Sequence, residues 1–334
     1  MQSSLALVIS LIVALGLGAS LLLWAQILMR VAQGQELLSA SPRYDVPWRG
    51  VHVALAFFVY VIVPGMSVVV TAWRFDLPSL TEIPNDNVQI VIWRLATGSM
   101  LAVVAALLVV AFIRIDLSAR LSDLGWSAGH VLGDIRLGIR AFLVIAPPVY
   151  ALQYVLVLVY QQYFDDSALH PLVQLVRDHP TPPMLFWSVA SAVLVAPLVE
   201  EFLFRVVLQG WLEKLTHGVQ IAMNLSRGNE QNVPQPPETP PGSNPYASPA
   251  ATSHERATGE RTGLAPDRLV AAPILISSGL FAVFHVGHGP APIPLFFLAL
   301  VLGYLYQKTH RILPSLVVHM LLNGTSMLGV WFGQ

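Results

Sequence analysis

The sequence predicts an all-α, polytopic transmembrane helical bundle of about eight spans, interrupted by a disordered cytoplasmic linker. Three observations carry this. Of 334 residues, 55% are hydrophobic and only 11% charged, with a mean hydropathy of +0.64; soluble domains hold about a quarter charged residues. Apolar runs of about 20 residues, the length that crosses a bilayer as helix, recur along the chain. Between two of them lies a polar, proline-rich stretch nearly free of large aliphatics, which buries too little apolar area to offset the entropy of ordering it. A formal net charge of −1 gives no concentrated basic surface for nucleic acid. The absence of cysteine excludes disulfides, thiolate metal ligands and a cysteine nucleophile.

Leu5–Met29 is the first apolar run. It is too long for a signal-peptide core and Met1-Gln2-Ser3-Ser4 lacks a basic residue, so a retained span is expected. Val51–Trp73 and Val88–Ile113 follow. Residues 115–135 mix Asp116, Arg120, Asp123, His130 and Asp134 with leucines and Trp126, which suits a short helix or loop at the membrane surface. Leu137–Tyr160 is a fourth span, which Pro147-Pro148 should kink or break.

The fifth span, from about Met184 to Trp211, contains Glu200-Glu201 and Arg205. Each charge near a bilayer centre costs about 2.5–3.5 kcal/mol on the insertion scale and therefore belongs in a bundle interior or wet cavity. Glu201 and Arg205 are spaced to pair across one helical turn. Pro197 removes a backbone donor three residues before Glu200, so irregular helix is expected there.

Residues 226–268 form the proline-rich linker. Leu269–His285 is a sixth span, Gly287-His288-Gly289-Pro290 a tight turn with His288 at its surface, and Pro292–Gln307 and Ile312–Phe332 the last two spans. The alternate loops 30–49, 114–140, 214–268 and 308–311 hold 14 of the 18 Lys and Arg. The positive-inside rule makes these loops cytoplasmic and puts both termini outside.

The later spans bring a second signal. Phe281 and His285 are four residues apart, as are His319 and Asn323, so each pair shares a helix face. Singly, each has a structural explanation: a hydrogen-bonded core histidine, an interhelical amide. Together with Glu200 they supply a base for water, imidazoles to hold that water or a metal, and donors for an oxyanion.

Glu200-Glu201-x-x-x-Arg205, Phe281-x-x-x-His285 and His319-x-x-x-Asn323 resemble the three motifs of the CPBP family. These are intramembrane proteases that include type II CAAX prenyl endopeptidases and bacteriocin-processing or immunity proteins. Leu121–Trp126 is also similar to the usual entry to that domain. The resemblance covers the chain from about Ser118, dividing it into an N-terminal membrane region (1–117), a first protease part (118–225), the linker (226–268) and a second protease part (269–334). The linker is longer than the family pattern has there.

The resemblance implies an endopeptidase of a membrane-anchored or lipidated, CAAX-like substrate, in a multi-pass protein of the cell's inner membrane. Glu200 would activate water, His285 share it, and His319 with Asn323 stabilise the oxyanion. Glu201 and Arg205 would support the site, and Phe281 would pack beside His285. The family is described both as glutamate proteases needing no cofactor and as metalloproteases. If a metal such as zinc is present, Glu200, His285 and His319 are the ligands implied, although no His-Glu-x-x-His occurs. A catalytically silent scaffold or immunity factor, and a proton-coupled transporter using the same carboxylates and histidines, are the alternatives.

Overall fold

A computed structural model describes residues 2–41, 45–78, 87–164, 176, 180–231 and 268–332. Eight helices are found among them. These are α1 (Gln2–Ala32), α2 (Gly50–Arg74), α3 (Val88–Leu117), α4 (Val131–Tyr163), α5 (residues 182–231), α6 (Arg268–Val283), α7 (Pro292–Thr309) and α8 (Ile312–Phe332). The all-α bundle is the expected one. Five helices, α1 to α4 and α8, are long and apolar enough to cross a membrane, and α6 is a shorter apolar helix. The faces of α1 to α4 that point away from the bundle expose Leu11, Leu21, Phe58, Trp73, Leu107 and Tyr154 among many large apolar side chains. In water such a surface would aggregate; in lipid it is the matching solvent.

Local sequence chemistry accounts for the helix ends. Asn87 starts α3 by accepting hydrogen bonds from the backbone N–H of Gln89 and Ile90 (3.0 and 3.3 Å), as an N-cap should. Gly287 and Gly289 adopt φ of +101° and +58° between α6 and α7, a backbone that glycine takes without strain.

Pro147-Pro148 do not break α4, which runs unbroken from Val131 to Tyr163. The lost donor at Pro148 frees the carbonyl of Val144 one turn earlier. Trp24 Nε1 of α1 donates to that carbonyl at 3.0 Å. A neighbouring helix thus satisfies the group that proline orphans, the usual remedy in membrane helices. The stretch 118–130 is a loop with one 3₁₀ turn, but Asp134 leaves the surface. It is buried in the first turn of α4 and takes a forked ion pair from Arg311 (2.8 and 2.9 Å) at the α7–α8 turn.

α5 is the central element. It packs against α2, α3, α6, α7 and α8, and every residue from Glu201 to Gly210 is buried. Its winding changes along its length: α over Pro182–Val189, π over Ala190–Val195, α over Ala196–Glu201, π over Phe202–Gln209 and α again over Gly210–Gln231. The irregularity expected around Pro197 is therefore present on both sides of it. π turns mark functional sites in many helices because they re-aim side chains. Trp48 Nε1 donates to the Val207 carbonyl in the second π stretch at 2.9 Å, docking the segment before α2 onto the core. The expected linker lies outside the described residues, except that α5 continues past Ser226 to Gln231.

α4 and α8 meet at Gly138. A Cβ there would come within 2.6 Å of Val317 Cβ and 2.9 Å of the Pro314 carbonyl. Gly138→Ala is expected to destabilise the fold by about 1–3 kcal/mol, as overpacking does. A lower thermal unfolding midpoint in detergent checks this.

Candidate active site

Three helices carry the expected polar residues, and contacts of 3.0 to 3.7 Å join Glu200, Glu201, Arg205 and His319. The α-wound stretch between the π turns carries Glu200 and Glu201, α8 carries His319 and Asn323, and α6 carries Phe281 and ends just before His285. Glu201 and Glu200 are adjacent but differ in environment. The Glu201 side chain is fully buried, whereas that of Glu200 keeps 15% of its surface. Consecutive residues are about 100° apart around a helix, and this rotation turns one carboxylate into the core and the other toward the site.

Glu201 is the anchor. Its Oε1 accepts from His319 Nδ1 at 3.0 Å and its Oε2 from Arg205 Nε at 3.2 Å. A buried carboxylate with two charged or polar donors is well satisfied; leaving it alone would be costly. With Nδ1 held by Glu201, His319 presents Nε2 to Glu200, whose Oε2 lies 3.7 Å away. One imidazole therefore bridges the two neighbouring carboxylates.

Arg205 is completely buried. Its Nη1 donates to Ser277 Oγ at 3.1 Å, and its guanidinium carbon lies 5.5 Å from the centre of the Phe281 ring. Phe281 stands against both imidazoles, with ring centres 4.7 Å from His285 and 5.8 Å from His319. Its packing role is thus wider than a place beside His285. Phe281 also accepts at its backbone carbonyl from His285 Nδ1 (2.8 Å). That bond fixes the tautomer and leaves His285 Nε2 for a further partner.

Asn323 Nδ2 donates to the Ala192 carbonyl at 2.8 Å. Ala192 lies in the first π stretch of α5, so the bond ties that stretch to α8. An amide nitrogen carries two protons, and the second remains for another acceptor. His288 is half-buried, with its ring centre 6.1 Å from that of His285.

The geometry does not gather Glu200, His285 and His319 as a metal donor set. Among the described residues no three His, Asp or Glu side chains converge closely enough to hold an ion. His319 Nδ1 and His285 Nδ1 are both turned to protein acceptors, which leaves the Nε2 atom of each ring for a further partner.

Residues that were not singled out extend the network. Gln209 and Glu213 continue the four-residue spacing of Glu201 and Arg205, and all four are buried. Gln209 Nε2 donates to Glu213 Oε1 (2.9 Å) and to the Gly303 carbonyl of α7 (2.8 Å), and Glu213 Oε2 lies 3.7 Å from His310 Nδ1. The signal for them was present: a polar residue at every fourth position of an apolar helix. Ser277, four residues before Phe281, carried only the weak signal of a serine in an apolar run.

Residues 182–227 and 258–325 match the family model described as type II CAAX prenyl endopeptidase Rce1-like. These segments are about a third of the chain and contain all three motifs. No curated protein and no solved structure matches the chain.

Proposed function

We propose that this chain, whose residues 182–227 and 258–325 match the type II CAAX prenyl endopeptidase Rce1-like model, hydrolyses a peptide bond of a membrane-anchored or lipidated substrate with a water activated by Glu200. The observation that carries this is the division of labour between the adjacent carboxylates. Glu201 is sealed in the core by His319 and Arg205, whereas Glu200 is partly exposed and faces the free edge of the same imidazole. A general base must be reachable by the water it deprotonates.

In this reading Glu200 takes a proton from water as the oxygen attacks the scissile carbonyl. His285 Nε2 accepts the water's other hydrogen bond and orients it. The oxyanion of the tetrahedral intermediate is met by the second Asn323 N–H and by His319 Nε2 when that nitrogen is protonated. Glu200 then returns its proton to the departing amine, and the C–N bond breaks. Each donor is already held by a protein partner, which lowers the reorganisation needed during the reaction. Glu201 and Arg205 hold His319 and do not meet the substrate. The excess of Lys and Arg in alternate loops supports an orientation with both termini outside and residues 226–268 cytoplasmic.

The test is hydrolysis of a farnesylated CAAX peptide by the purified protein in nanodiscs, followed by mass spectrometry. A discrete peptide product is expected. Asn323→Ala should lower kcat about 10²–10³-fold, the usual loss of an oxyanion donor. Substrate accumulation driven by a pH gradient in vesicles, with no peptide product, would favour a transporter and overturn the reading.

A further inference from the structure

The buried polar column of α5 ties that helix to three of its neighbours. Glu201 reaches His319 on α8, Arg205 reaches Ser277 on α6, and Gln209 reaches the Gly303 carbonyl on α7. Within this column Ser277 has a particular place. Its hydroxyl donates to the Phe204 carbonyl at 2.8 Å and accepts from Arg205 Nη1 at 3.1 Å, and the residue is completely buried. Its proton and an acceptor lone pair are both engaged, so the hydroxyl rotor is locked.

Both partners of Ser277 lie in the second π stretch of α5, immediately after the two glutamates. Arg205 Nη2 has no hydrogen-bond partner, and the Arg205 hydrogen bonds found are those to Glu201 and Ser277. Ser277 is therefore the polar contact from another helix that stops the guanidinium from pivoting about its bond to Glu201. A pivot there moves the Glu201 carboxylate, and with it the ring of His319. From this chain of contacts we infer that Ser277 is a positioning residue for the reaction, fixing the tautomer and orientation of His319 through Arg205 and Glu201.

This inference rests on the reading of the site as an endopeptidase. The neighbouring Ser278 provides an internal control. It is equally buried, but its hydroxyl has no hydrogen-bond partner, so Ser278→Ala removes the same atom without touching the chain of contacts.

The experiment compares wild type, Ser277→Ala, Ser277→Thr and Ser278→Ala in nanodiscs with two readouts. One is kcat and KM on the farnesylated CAAX peptide. The other is the 15N signal of His319 in histidine-labelled protein, assigned with His319→Gln, and it needs no turnover. Ser277→Ala is expected to lower kcat tenfold or more with KM within about twofold, and to shift the His319 signal. Ser277→Thr, which keeps the hydroxyl, retains the wild-type signal, and Ser278→Ala changes neither readout. Wild-type kcat and an unmoved His319 signal in Ser277→Ala would overturn the inference. Equal losses in Ser277→Ala and Ser278→Ala would also overturn it, by showing a packing effect. A wild-type protein that cleaves no peptide, with a His319 signal that still moves in Ser277→Ala, overturns the endopeptidase reading and leaves the positioning chain standing.

Discussion

Glu200→Gln is expected to abolish peptide hydrolysis while leaving the fold intact. The amide keeps the size of the carboxylate but cannot take a proton from water, and a general base contributes about 10²–10⁴-fold in rate. Because Glu200 makes no hydrogen bond to Arg205 and lies 3.7 Å from His319 Nε2, its loss removes little native structure. The thermal unfolding midpoint should stay close to that of wild type. Product formation measured by mass spectrometry over long incubation separates full loss from partial loss. Turnover within a few-fold of wild type would remove Glu200 from the mechanism.

Arg205→Met is expected to have the largest effect on stability. It leaves Glu201 buried with a single donor, and breaking one side of a buried ion pair costs about 3–5 kcal/mol. Folded yield in detergent should drop sharply, and activity with it. The double variant Glu201→Gln/Arg205→Met removes both charges and should recover much of the lost stability, since no unpaired charge stays in the core. It should not recover activity, because His319 Nδ1 then has no carboxylate to hold it. A double variant as unstable as Arg205→Met would show that the ion pair is not what holds this part of α5. Thermal unfolding and peptide hydrolysis on the same samples distinguish the two outcomes.

Much of the fold was legible because membrane helices are specified locally. An apolar run long enough to cross a bilayer must satisfy its own backbone, so α1 to α4 and α8 follow from runs of side chains alone. The pairing of Glu201 with Arg205 was legible for the same reason, since both lie on one turn of one helix. What those runs could not reveal was the answer of a neighbour. Pro147-Pro148 read as a break, yet Trp24, far away in the chain, fills the vacated acceptor at Val144. Asp134 read as a surface charge, yet Arg311 draws it into the core.

By itself the sequence determined an all-helical membrane chain, the three polar motifs and their spacing within each helix, because these depend on composition and on the 3.6-residue period. The tertiary structure alone decided which of two adjacent glutamates is sealed and which is reachable, that His319 bridges them, and that Ser277 closes the chain behind Arg205. Those outcomes depend on the rotation of α5 within the bundle. That rotation is set by π turns and by hydrogen bonds between residues as many as 159 positions apart, and no local pattern encodes it.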